Sequence, residues 1–269
     1  MLTSTSKGFN SNLRYNMSNK IWEFTGDTKI CFGIILKQIR ATVEFKLKCG
    51  IVVRKGELGG WIEKESNLSG DAWVSGDAWV YGDARVYGDA WVSGDAKVSC
   101  TAEVYGNARV YGDAKVSGTA LVSGDAWVYG NARVYGNAWV YGDACVYGNA
   151  RVYGNACVYG NAKVSGTAEV YGDACVYGNA WVYGDARVYG DARVYGNAEV
   201  RSSKDYCVYK NTWSSFRWFT YTRSNKMWKV GCFYGTGAEL IAKAYKDSEK
   251  SGKCYEAIVK AQEAIEKAM

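Results

Sequence analysis

From Gly70 to Arg201 apolar and polar positions alternate with a period of six and no interruption, giving 22 hexapeptides of the form G-[D/N/T]-A-x-V-[Y/S]. Ala fills its column 22 times of 22 and Val does the same, while the Gly column has one exception, Cys100. The second column holds 11 Asp, 8 Asn and 3 Thr, and the last holds 15 Tyr, 6 Ser and Arg201. Columns this constant imply one constant environment each. In A-x-V the side chains alternate, so Ala and Val face one side and x faces the other. Gly followed by Asp or Asn supplies a turn that tolerates positive φ. So short a strand cannot bury its own apolar side; successive turns of chain must stack, with Val and Ala filling a narrow interior. The expected fold is an all-β solenoid.

The flanks lose this period. Residues 17–69 carry the runs IIL, IVV and GGWI, with Gly59-Gly60 read as a turn, and predict a small β-rich N-terminal cap. Residues 202–236 predict a β-meander, with SFRWFTYTR and MWKVGCF as strands joined across SNK. In residues 237–268, Leu240, Ile241, Ala244, Ala257, Ile258 and Ala261 stand at helical spacing, and Gly252 is expected to divide the segment into two helices. The expected organisation is a disordered tail over 1–16, an N-terminal cap over 17–69, the solenoid over 70–201 and a C-terminal cap over 202–269. Met17, where strand-like patterning begins, is an alternative start to Met1.

The order V-x-x-x-A-x resembles the hexapeptide repeat of the left-handed parallel β-helix, in which an aliphatic residue is followed four positions later by a small one. That resemblance implies a triangular prism of three hexapeptides per coil, hence about seven 18-residue coils stacked over roughly 35 Å at ~4.8 Å per strand. The chain departs from that family in placing Tyr, rather than a small residue, after the aliphatic position. The segments LKQIRATVEF, KGELGGWIEKESNLSGDAWV and KVGCFYGTGAELIAKA further resemble a group of bacterial and bacteriophage hexapeptide-repeat proteins. This implies a solenoid body with fixed caps and, for a phage-encoded member, residence in the host cytosol.

With 18 residues per coil the x column sorts into three ladders. The first face reads Trp73, Trp91, Arg109, Trp127, Cys145, Lys163, Trp181, Glu199 and offers Trp73, Trp91, Trp127 and Trp181 as a candidate aromatic binding face. The second reads Trp79, Lys97, Lys115, Arg133, Arg151, Glu169, Arg187 and offers Lys97, Lys115, Arg133, Arg151 and Arg187 as a candidate basic face. Such a row could follow phosphates, with Tyr135, Tyr153 and Tyr189 placed for base stacking; charged ladders also keep a β-surface from aggregating, and that reading is preferred. The third reads Arg85, Glu103, Leu121, Trp139, Cys157, Cys175, Arg193, and Cys157 and Cys175 are read as small apolar ladder residues.

Composition narrows the chemistry. The chain of 269 residues has no His and no Pro; without imidazole the acyl transfer of left-handed β-helix acyltransferases loses its base, and a γ-type carbonic anhydrase loses its zinc ligands. The uninterrupted repeat also leaves no inserted loop to build an active site. Nine scattered Cys, with no CxxC, support neither a zinc site nor a disulfide framework and read as free thiols of a reducing cytosol. Net charge is +6 overall, but the repeat holds 10 basic and 14 acidic groups, so the excess of base lies in the flanks. No apolar segment suits a leader or a membrane span. The expectation is a cytoplasmic, non-enzymatic scaffold or interaction protein with no cofactor and no metal. Its partner is itself, as a trimer or end to end, or a host protein; nucleotide or nucleic acid is the weaker expectation. Alternatives are a phage-type accessory or counter-defence binder and a degenerate hexapeptide-repeat acyltransferase.

Overall fold

A computed structural model describes residues 20–31 and 33–269; the tail expected over 1–16 lies outside them. The hexapeptides form rungs of mostly two residues, x and Val, that stack in parallel on the rungs 18 positions away, as in Lys115–Arg133, Leu121–Trp139 and Trp127–Cys145. Three sheets result, and they carry the three ladders in the order expected. Each hexapeptide donates up to three backbone hydrogen bonds to the next coil. Asn131 N reaches Gly148 O at 2.8 Å, Arg133 N reaches Ala150 O at 2.9 Å and Tyr135 N reaches Val152 O at 3.0 Å. All Ala and Val of the repeat are fully buried, so the core is a column of small and β-branched side chains packed at the width the strands allow. The repeat glycines all sit at φ between +62 and +74°, the left-handed region that Gly enters without steric cost; Cys100 adopts the same turn at φ 62°.

There are about eight coils rather than seven. Ile62 and Leu68 continue the Val column backwards at six-residue spacing, both buried, although the Gly-Asp signature is missing there. Trp61–Ile62 pairs in parallel with Trp79–Val80, and Leu68 bridges Val86. Asn67 repairs this irregular start. Its backbone N–H is diverted to Lys64 O in a 3-10 turn, and its buried side-chain amide instead donates to Ala84 O at 2.8 Å and Gly82 O at 3.1 Å.

The N-terminal cap continues the second face. Trp22–Cys31 pairs antiparallel with Ile34–Ala41, which pairs antiparallel with Leu58–Ile62, so that sheet has ten strands. Gly59 and Gly60, expected to turn, lie inside this strand. A Cβ on Gly59 would stand 2.7 Å from Val74 O, and one on Gly60 2.7 Å from Ala78 O; the glycines permit close approach of the first coil. A small hairpin, Phe45–Lys46 with Val52–Val53, folds against the first face.

At the other end, Tyr206–Lys210, Trp218–Thr222, Met227–Val230 and Phe233–Gly235 form an antiparallel meander in chain order. Its second strand is shorter than SFRWFTYTR because Phe216 turns the chain at φ 53°. This cap supplies hydroxyls to the N–H groups that the last coil leaves without a further rung. Arg187 N donates to Ser203 Oγ at 3.3 Å, Arg193 N to Thr220 Oγ1 at 2.9 Å and Glu199 N to Ser224 Oγ at 2.7 Å, one on each face. Two helices, α1 (Gly237–Asp247) and α2 (Glu249–Ala268), pack a second core around Phe219, Trp228, Leu240, Tyr255 and Val259. The break falls at Ser248, which caps α2 through Ser251 N. Gly252 does not divide the helices: it is buried inside α2, where a Cβ would strike the Tyr245 ring of α1. No helix among the described residues is long and apolar enough to cross a membrane.

Candidate interaction surfaces

The aromatic ladder of the first face is divided by the N-terminal hairpin. Trp73 is 1% exposed, with Phe45 edge-on at 5.6 Å. Lys48 pairs with Asp89 at 2.8 Å, and Arg109 reaches Cys49 O at 3.4 Å, which ties the hairpin across the lower coils. Trp91 is half-buried and donates its indole N–H to Ser75 Oγ at 3.0 Å. Trp73 and Trp91 are therefore packing residues, while Trp127 and Trp181 remain 37% exposed. Trp181 repeats the Trp91 arrangement, donating to Ser165 Oγ at 3.0 Å. Ser in place of Tyr on the adjacent rung thus makes room for the indole and accepts its N–H.

On the second face the five candidate cations lie in one ladder, but their environments differ. The Lys97 ammonium sits 3.8 Å from the Trp79 ring centroid, and Lys29 of the cap lies over Trp61 and Trp79 at 4.1 and 4.8 Å, with Asp77 at 3.6 Å. Burial pushes the Lys29 amine below its ordinary range, against the pull of Asp77. Glu169 binds Arg151 at 3.2 Å and Arg187 at 3.7 Å. Among the described residues, Lys115 and Arg133 have no ionic partner. Both line an open groove of about 460 Å³ whose other wall is the corner ladder Asp77, Asp95, Asp113, Asn131. A row of carboxylates beside the cations works against a continuous polyanion track.

The third face has an apolar middle, Leu121, Trp139, Cys157 and Cys175. Trp139 is 49% exposed and Tyr141 36%, and with Tyr105, Leu121 and Ser123 they line a groove of about 350 Å³. Tyr rings beside it stack coil on coil, Tyr141 on Tyr159 at 4.8 Å and Tyr159 on Tyr177 at 4.7 Å. Above Trp139, Cys157 and Cys175 pair in register.

Trp139 stood in its ladder in the sequence without being singled out. Trp213 and Phe216, 63 and 68% exposed, were hidden in the expected meander. Their loop hangs on the fully buried Asn211, whose Oδ1 accepts from Trp213 N and Ser214 N and whose Nδ2 donates to Ser214 Oγ. Tyr255 of α2 holds the loop through Ser215 Oγ at 2.9 Å. An Asn followed by a Ser pair is the signal of such a turn.

The family model for the YdcK beta solenoid repeat matches residues 78–94, 102–118, 126–142, 144–160, 150–166 and 186–201. The chain is accordingly a β-solenoid repeat protein whose repeats are of that type. Comparison with curated proteins gives no match.

Proposed function

We propose that this chain, a solenoid of YdcK-type repeats closed by two caps, works without catalysis as a rigid scaffold that binds a protein partner or a second copy of itself through the lateral faces of its repeat. The observation that carries the reading is the contrast within the aromatic set. Trp73 is spent under the cap at 1% exposure, whereas Trp139 at 49% and Trp127 and Trp181 at 37% are held outward on inextensible rungs. Aromatic side chains fixed in this way lose little entropy when covered and are favoured anchors of interfaces. The hydroxyls of Ser203, Thr220 and Ser224 close the C-terminal end, which favours lateral over end-to-end association.

Native mass spectrometry tests this. The wild-type chain is expected to form an oligomer or to retain a protein partner, and the triple variant Trp127→Ser, Trp139→Ser, Trp181→Ser to release it with an unchanged far-UV spectrum. A wild-type monomer with no retained protein, or assembly that survives the triple variant, overturns the proposal. A second reading, binding of a small anion, rests on Lys115 and Arg133 standing unpaired beside the second-face groove. Bound mass that disappears in Lys115→Ser, Arg133→Ser would favour it.

A further inference from the structure

Cys157 and Cys175 occupy successive rungs of the third face, paired in register. Each thiol leans on the carbonyl two residues before it, Cys157 Sγ on Asn155 O at 3.7 Å and Cys175 Sγ on Asp173 O at 3.8 Å. The two side chains thus adopt one rotamer, side by side, on a half-buried surface. The neighbouring Tyr159 and Tyr177, whose rings stack at 4.7 Å, give the local coil-to-coil distance. That distance decides between two fates for the pair. A disulfide needs its Cβ atoms about 3.5–4.5 Å apart, closer than in-register parallel strands hold them, so oxidation requires the coils to be drawn together. Two collinear metal–thiolate bonds, taking the zinc–thiolate length of about 2.3 Å as the scale, span about 4.6 Å and fit the ladder as it stands.

We propose that Cys157 and Cys175 form a two-coordinate thiolate site for a monovalent soft cation, with Cu(I) as its representative. Thiolate sulfur selects such ions over hard ones. No three His, Cys, Asp or Glu side chains converge among the described residues, which leaves two sulfurs as the whole donor set and suits an ion content with linear coordination. A bis-thiolate holding one monovalent cation carries a net charge of −1, and Arg193, the next rung above Cys175, supplies the compensating cation. Trp139, the rung below Cys157, shields the other side.

Loading joins one monovalent cation to the two sulfurs: the S–H bonds of Cys157 and Cys175 break, two metal–sulfur bonds form, and the two protons leave to solvent. No electron changes hands.

The test is an anaerobic titration of the full chain with Cu(I) in competition with the chelator bicinchoninate. The chain is expected to withdraw one equivalent of Cu(I). Cys157→Ser and Cys175→Ser should each lose that equivalent, while Cys145→Ser, on another face between Trp127 and Lys163, keeps it. The x column accepts Trp, Lys, Arg, Glu and Leu, so Ser there leaves the fold intact, with the far-UV spectrum as the check. Failure of the wild-type chain to compete, or retention of the equivalent by either single variant, overturns the site. So does X-ray absorption showing three or more sulfurs around the ion. Ready conversion of the reduced pair to a Cys157–Cys175 disulfide by diamide, mapped by mass spectrometry, overturns the spacing argument.

Discussion

Replacing Gly118 by alanine separates two costs that the corner glycines combine. Gly118 has φ +72°, and a Cβ there would stand 2.8 Å from both N and O of Gly136 in the next coil. Gly190 has φ +65° but nothing within 4 Å of its Cβ position. Left-handed backbone costs a non-Gly residue about 1–2 kcal/mol, and pressing a carbon into a packed neighbour adds about 1–3 kcal/mol. Gly190→Ala should therefore cost only the first sum, and Gly118→Ala about 2–5 kcal/mol. A stacked array need not unfold in one step, so the sensitive assay is amide exchange. The Thr119 N–H, bonded to Gly136 O at 2.9 Å, reports the altered corner, and Ala192 N, bonded to Tyr189 O at 3.4 Å, reports the control. Loss of protection at Thr119 should exceed loss at Ala192 by about 5- to 150-fold. Equal losses would show that the column is glycine for its φ alone and that coil-to-coil contact plays no part.

Asn67→Ala deprives Gly82 O and Ala84 O of their side-chain donor and should cost about 1–3 kcal/mol, with exchange rising in the first coil and not in the last. Ser165→Ala removes the acceptor of the Trp181 indole N–H and should cost about 1 kcal/mol, seen as a lowered thermal midpoint and absent when Trp181 is already Ser. The backbone N–H of Thr236 at 2.8 Å, then its hydroxyl at 2.9 Å, hold the Glu239 carboxyl below its ordinary 4.5. A carboxyl depressed on folding contributes stability that is present above pH 4.5 and is lost as pH falls through the lower folded value. Amides of the first turn of α1 should accordingly lose protection in acid, and Glu239→Gln should flatten that dependence.

The hexapeptide columns displayed the body of the fold because every position in a stacked coil meets the same neighbours. Ala, Val and Gly could each be assigned an environment, and the three ladders of the structure follow from the 18-residue repeat alone. What the columns did not display lies where that equivalence ends. The first coil escaped because Asn67 and Leu68 keep the interior without the corner signature, their hydrogen bonds being supplied by a side chain. Burial of Trp73 depends on where the Phe45 hairpin lands, a contact between segments that no periodicity encodes. Likewise the pairing of Lys97 with Trp79 and of Arg151 and Arg187 with Glu169 turned a uniform basic row into one with two unpaired members. The helix break was misplaced for a related reason: Gly252 serves Tyr245 of the other helix, and Ser248 is the cap.

The caps grip particular faces: the N-terminal strands extend the second, and Ser203, Thr220 and Ser224 each meet a different last rung. The length of the body is thereby quantised. Gain or loss of one hexapeptide would rotate one cap by a third of a turn against the other and present each hydroxyl to the wrong side. Gain or loss of three would move the caps along the axis by one strand spacing, about 4.8 Å, and leave their mutual bearing unchanged. Descendants of such a sequence can therefore change reach in whole coils while carrying the same two ends, as a ladder is lengthened by rungs without redesigning its feet.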